Sequence, residues 1–194
     1  MYILTDKFFY ENIVKKDEED INIITMNIDT YYTETQIPKA DGTRTIYAIQ
    51  KDSELYVAQK NILKNFLSKI PLPVCVKGFC IGGSYSEFLN AHKNQKYYLR
   101  IDIKDFFDSI TEAQIIANLH EYVKSSSVLL AIVELCTYYG VLPQGAVTSP
   151  TLSNIIFRRI DQRITKYCQK VNVIYTRYAD DCAPRAYVQV VQTI

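Results

Sequence analysis

Apolar residues recur along this chain with two different periods. Between positions 53 and 70, Leu55, Ile62, Leu63, Phe66, Leu67 and Ile70 recur at helical spacing and fall on one face. Ser53 stands at the N-cap position, and Pro71 and Pro73 close the run. Thr111-Glu112-Ala113-Gln114 has the capping-box pattern and opens a helix to about residue 124. After Ser125-Ser126-Ser127, a second helix over 127–138 carries Leu130, Ile132, Val133 and Leu135 as core candidates, with Gly140 as its terminator. The longest helix is predicted from Ser149, an N-cap followed by Pro150 at the first helical position, to about Gln169. Its apolar stripe is Leu152, Ile156, Ile160, Ile164 and Tyr167, with Asn154, Arg158 and Arg159 off the stripe. A short helix over 86–93 ends near His92, read as a structural histidine.

The other period is that of strands. Residues 97–103 and the β-branched run 171–175 read as strands. Asp41-Gly42 is a two-residue hairpin signal, so residues 36–49 are expected to form a β-ribbon with Lys39 and Arg44 near its tip. Residues 78–84 form a glycine-bearing turn without the Gly-Lys-Ser/Thr of a phosphate loop. Residues 1–20 are read as helical or partly ordered, with 15–20 a solvated charged run. Residues 21–32 fit neither period. Strands separated by helices, without internal repeat, give an α+β chain.

Composition narrows the function classes. Lys plus Arg total 22 and Asp plus Glu 21, a formal net charge of +1, which argues against bulk electrostatic nucleic-acid binding and leaves a local basic groove, or parts outside this sequence, to supply it. The 16 tyrosines could stack on bases, though tyrosine is also an ordinary core and surface residue. Five cysteines without a Cys-x-x-Cys pair argue against a disulfide framework or zinc site and for reduced thiols in a cytoplasmic protein. The N-terminal residues show neither a signal-peptide core nor a membrane-spanning run.

Candidate chemistry concentrates in Tyr178-Ala179-Asp180-Asp181, at the end of the last predicted strand. Two adjacent carboxylates at a turn repel one another unless a cation sits nearby. Asp102 lies near the end of the other strand, and if the two strands are neighbours, Asp102 and Asp180 meet as a hard oxygen site suited to magnesium. Lys39 and Arg44 read either as surface cations or as a clamp for a triphosphate.

Four segments occur in one order: Leu99-Arg100-Ile101-Asp102-Ile103-Lys104-Asp105-Phe106-Phe107; Leu142-Pro143-Gln144-Gly145; Ser149-Pro150 to Asn154; and Tyr178-Ala179-Asp180-Asp181. Together they resemble the catalytic core of reverse transcriptases of the bacterial retron and group II intron type. Residues 42–46 and the segment from Gly78-Phe79 to Asn90-Ala91-His92 are similar to that family's upstream motifs, and the resemblance covers roughly residues 36–181.

The resemblance implies a right-hand polymerase fold, with fingers over 1–96, palm over 97–118, helices of fingers and palm over 119–140, and palm again over 141–194. It implies an RNA-directed DNA polymerase that adds dNTPs to the 3′-hydroxyl of a DNA or RNA primer on an RNA template. It also implies two Mg²⁺ ions, bridged by Asp102 and Asp180 with Asp181 helping to hold or orient the site. Phe107 corresponds to an aromatic beneath the incoming sugar that excludes a 2′-hydroxyl, with Phe106 as its neighbouring competitor. The backbone amides of Asp105 and Phe106 correspond to a triphosphate cradle, Gln144 to a contact with the incoming nucleotide, and Arg44, with Lys39 second, to the cation that neutralises the triphosphate. A structured non-coding RNA partner and a role in antiviral defence are further implications. Two other readings are a template-independent nucleotide polymerase of a phage-defence system and a non-catalytic RNA- or protein-binding module.

The sequence departs from the family after the acidic turn. Cys182-Ala183-Pro184-Arg185-Ala186 stands where an apolar return strand is expected, and Pro184 is unsuited to the middle of a strand. The expectation is therefore an incomplete palm without a thumb, and little polymerase activity from this chain alone.

Overall fold

The computed structural model describes residues 4–39, 42–93, 99–103, 105–179 and 186–192, with residues 39, 100, 102, 179 and 186–192 described by their backbone alone. The Asp180, Asp181 and Pro184 expectations thus lie outside the described residues. The chain forms two compact units, one of Met1–Ile70 with Phe107–Leu152 and one of Pro71–Phe106 with Ser153–Ile194. Among the described residues no helix is long and apolar enough to cross a membrane.

In the first unit, helix α1 (Asp6–Phe8) runs into a π-helical turn, Phe9–Val14. Helix α2 (Glu18–Met26) occupies the charged stretch and part of the segment that fits neither period. Asp17 caps it, accepting from the Asp20 amide at 2.8 Å, and Glu18, Glu19 and Asp20 lie at the positive end of the helix dipole. Strands β1 (Tyr32–Lys39) and β2 (Gly42–Ile49) form the expected antiparallel ribbon. Lys39 pairs with Gly42, so the two connecting residues are 40 and 41, one position earlier than the Asp41-Gly42 reading.

Helix α3 (Glu54–Asn65) is capped by Ser53, whose hydroxyl accepts from the Tyr56 amide at 3.2 Å. It buries Leu55, Ala58, Gln59 and Ile62, and Asn61 and Asn65 hold the N-terminal segment through the carbonyls of Val14 and Ile13. The capping box forms: Gln114 Oε1 accepts from the Thr111 amide at 2.8 Å at the start of α5 (Glu112–Leu119), after which α6 (Ser126–Cys136) contributes Ile132 and Leu135 to the core. Gly140 does not terminate α6. It follows Tyr139 in a tight turn where both have positive φ (50° and 77°) and Tyr138 pairs with Val141.

The second unit holds α4 (Tyr85–Asn90), β3 (Leu99–Ile103), most of α7 (Ser149–Lys170), β4 (Val173–Ala179) and β5 (Ala186–Gln192). The sheet order is β3-β5-β4, with both pairings antiparallel. A return strand is present over Ala186–Gln192. The condition that β3 and β4 be direct neighbours is not met, because β5 lies between them and pairs with each. On the free side of β4, Arg177 N donates to Cys75 O at 2.9 Å and Lys77 N to Arg177 O at 2.8 Å.

The predicted stripe of α7 is corrected as well. Ile160 is 44% exposed and Tyr167 67%, whereas Asn154 and Asp161 are fully buried. Leu152 and Ile156 are buried as expected. The Leu152 amide donates to Thr148 O, which makes Thr148 the N-cap, while the Ser149 hydroxyl donates to Pro143 O at 2.8 Å.

Candidate active site

The sheet of the second unit fixes where its candidate residues stand. Asp102 on β3 pairs with Tyr187 on β5, and Tyr187 pairs with Tyr178 on β4. Directly opposed residues share a face of a sheet, so positions 102, 187 and 178 form one row on one face. Ile103 and Ala179 both pair with Ala186, so β3 and β4 run in the same direction and end at the same edge. Two strand spacings, about 10 Å, separate them. Asp180 and Asp181 follow Ala179 directly in sequence. The donors are carboxylate oxygens, hard ligands that suit Mg²⁺, and β3 brings Asp102 to the same edge at which β4 leads into Asp180, so this donor set fits the ion. Among the described side chains, no group of three or more His, Cys, Asp or Glu is placed to hold a metal ion.

Beyond Asp102 the chain turns sharply. Asp105 is exposed and takes φ of +46°, an uncommon conformation for a residue with a side chain. Phe106 is buried against Phe157 of α7, with ring centroids 5.0 Å apart. Phe107 is also buried but belongs to the first unit.

In the first unit the loop carrying Gln144 packs on β2. Gly145 has φ of +116°, and a Cβ there would lie 2.7 Å from Tyr47 O and 3.1 Å from Ala48 Cα. Only glycine allows this approach. Gln144 is half-buried, as is Arg44, which stands three residues before Tyr47 on β2. Lys39 ends β1, and its side chain is outside the description.

Several supporting residues escaped sequence reasoning. Fully buried Gln59 donates to Leu135 O at 2.8 Å and to the Tyr32 hydroxyl at 3.1 Å, and accepts from the Val147 amide at 3.0 Å, which secures the end of the Gln144 loop. Burial drives the Tyr32 hydroxyl well above its ordinary pKa. In the second unit Asn154 donates to Gly78 O at 2.9 Å and Phe79 O at 3.2 Å, holding a turn in which Phe79 has φ of +53°.

Asp161 on α7 accepts from Arg177 Nε at 2.9 Å, Arg177 Nη2 at 2.8 Å and the Tyr175 hydroxyl at 2.7 Å, and Asp161 and Arg177 are fully buried. Burial first, then the Asp161 charge, raises the Tyr175 hydroxyl far above its ordinary range. The available signal was Arg177 itself: a cation in an otherwise apolar strand needs a carboxylate partner. On the opposite face of β4, His92 Nε2 lies 2.6 Å from Thr176 Oγ1, and burial pushes the imidazole pKa down. Phe88 and Tyr85 of α4 lie against Tyr178 on this same face, with ring centroids 5.7 and 5.4 Å apart.

Residues 37–184 match the family model described as reverse transcriptase (RNA-dependent DNA polymerase). The chain is 36% identical over 138 residues to the retron Ec86 reverse transcriptase of Escherichia coli, covering 71% of this chain and 42% of that protein. It is 31% identical over 170 residues to the retron Mx162 reverse transcriptase of Myxococcus xanthus, covering 78% and 35%. With the retron Ec73 reverse transcriptase of Escherichia coli, identity is 32% over 160 residues, covering 74% and 49%. The chain thus spans less than half the length of each of these three relatives.

Proposed function

The chain belongs to the reverse transcriptase (RNA-dependent DNA polymerase) family, and from that premise we propose that it carries the nucleotidyl-transfer site of a retron-type RNA-directed DNA polymerase. The β3-β5-β4 sheet serves as palm and the β1–β2 ribbon as fingers. The observation that most supports this reading is the register that puts Asp102 in the row of Tyr178, at the edge where β4 leads into Asp180-Asp181.

In this reading Asp102 and Asp180 hold two magnesium ions and Asp181 helps to orient them. Bound magnesium supplies charge stabilisation for the attacking and leaving oxygens of an in-line displacement at phosphorus. The amides of Asp105 and Phe106 receive triphosphate oxygens, which the left-handed turn at Asp105 favours by changing the direction of successive N–H groups. Arg44, with Lys39 second, neutralises the triphosphate. Gln144 contacts the incoming nucleotide, on a loop held by Gly145 and Gln59. Phe107 excludes a 2′-hydroxyl by bulk. Phe106 is committed to Phe157, which leaves Phe107 for that task. The partners are an RNA template, a DNA or RNA primer, dNTPs and a structured non-coding RNA.

The test is primer extension on an RNA template with dNTPs and Mg²⁺, together with calorimetric titration of Mg²⁺–dNTP. Asp102→Ala should abolish both signals, and Phe107→Val should admit ribonucleotides. Incorporation unchanged by Asp102→Ala would overturn the reading, as would the absence of both incorporation and Mg²⁺–dNTP binding.

A further inference from the structure

Two elements of the second unit lead to the candidate carboxylates, and one helix holds both. Asp161 grips β4, three residues upstream of Asp180, through the forked pair with Arg177 and the Tyr175 hydroxyl. Four residues earlier on α7, and so one turn away on the same face, Phe157 packs against Phe106, its ring tilted by 51°, in the turn that follows Asp102. The same ring lies 5.4 Å from the Arg177 guanidinium carbon, so the two grips share a member.

We propose that the Phe157–Asp161 face of α7 is a positioning bracket that sets the placement of β4, which leads in sequence into Asp180-Asp181, relative to the segment after β3, which carries Asp102. This rests on the polymerase reading of those acids. The bracket residues do not touch substrate; they act through the two backbone segments.

Stability alone does not account for the arrangement. A buried ion pair is often no more stabilising than a well-packed apolar replacement, because both charges lose their hydration. What it adds is direction. A guanidinium fork on a carboxylate fixes both distance and rotation, and the tyrosine hydroxyl occupies a further lone pair of the same oxygen. An apolar contact would let β4 slide along the helix, and a slip of one residue moves every side chain to the other face. Arg177 and Tyr175 face α7, so Thr176 and Tyr178 face away from it, on the side to which position 102 belongs. Phe157 acts alike on the other strand, since Phe106 is four residues beyond Asp102 and is 1% exposed.

The test is Mn²⁺ binding to the full chain, read from the loss of the free-ion signal in electron paramagnetic resonance, with far-UV circular dichroism on every variant. Asp102→Ala should lose the bound ion. Asp161→Asn should weaken binding about tenfold, the size of effect seen when groups behind metal ligands are changed. Arg177→Lys keeps the charge but loses the fork, so it should weaken binding as Asp161→Asn does; simple charge compensation would leave it at the wild-type value. Tyr175→Phe removes one hydroxyl at constant shape and should weaken binding roughly threefold, so it decides the matter should Asp161→Asn fail to fold. Wild-type affinity in Tyr175→Phe, Arg177→Lys and every folded Asp161→Asn sample, with loss only in Asp102→Ala, would overturn the bracket and leave the polymerase reading standing. Mn²⁺ affinity unchanged by Asp102→Ala, in an otherwise unaltered chain, would overturn the polymerase reading and the bracket with it.

Discussion

Gly145 offers the sharpest test of how the Gln144 loop is held. Replacing it with alanine imposes two costs. At φ of +116° an L residue is strained, by about 1–2 kcal/mol. The added Cβ would also sit 2.7 Å from Tyr47 O, a backbone atom of a paired strand that cannot rotate away, and relieving such overlap costs about 1–3 kcal/mol. The sum, about 2–5 kcal/mol, is a large part of a typical domain's stability. Gly140→Ala is the matched control: φ is +77° there and a Cβ would meet nothing within 4 Å, so strain of about 1 kcal/mol is the only cost. In urea unfolding followed by circular dichroism, a slope of about 2 kcal/mol per M turns these figures into midpoint shifts of about 1–2.5 M and about 0.5 M. Gly145→Ala should also weaken Mg²⁺–dNTP binding by displacing Gln144, which Gly140→Ala should not. Equal midpoint shifts for the two variants would refute the claim that the loop is pinned by close approach to β2.

Three further outcomes are expected. Gln59→Leu leaves the Leu135 carbonyl and the Val147 amide without the partner that Gln59 supplies, and should cost about 3 kcal/mol in the same assay. For His92, burial holds the imidazole pKa below its ordinary 6.5, so on acidification the unfolded chain takes up the proton first. Stability contributed by neutral His92 is therefore complete above pH 6.5 and lost as the pH falls from 6.5 toward the lower folded value, by at most about 1.4 kcal/mol per pH unit, and His92→Gln should flatten that part of the denaturant-midpoint profile. Burial pushes the Cys136 thiol up to about 12, and Cys75 and Cys168 are buried too, so iodoacetamide at pH 8 should modify half-buried Cys80 before any of these three, as read by mass spectrometry. Labelling of Cys136 at the rate of Cys80 would contradict the packing of α6.

Elements whose signals are local were legible. Ser53 and the Thr111–Gln114 box mark the starts of α3 and α5 because a cap is a contact over three residues. The ribbon was legible as well, though its turn shifted by one position, since Lys39↔Gly42 pairing makes Gly42 part of β2. The order of motifs carried the family, because every motif is a short string. What failed was the assumption that burial follows apolarity. On α7 it assigned Ile160 and Tyr167 to the core, where they are exposed, and missed Asn154 and Asp161, which are buried. A polar residue is buried at tolerable cost only where a partner satisfies it. The partners of Asn154 are carbonyls 75 and 76 residues upstream, and those of Asp161 are 14 and 16 residues downstream, so periodicity within the helix carries no trace of either.

The same distinction separates the candidate chemistry from its scaffold. An acidic pair at a strand end is an electrostatic anomaly that a short window exposes, so Asp180-Asp181 was visible at once. That Asp102 belongs with them was stated on the condition that β3 and β4 are neighbours, and they are not. What relates Asp102 to β4 is β5, the return strand, which the sequence led us to expect as atypical. Its pairing runs over Ala186–Gln192 with β4 and over Ala186–Val190 with β3, an arrangement between distant segments of which no short window carries a trace. β5 then sets the row in which Asp102 and Tyr178 stand, so the placement of Asp102 relative to the strand that leads into the other two candidates depends on a strand that contributes no candidate ligand of its own.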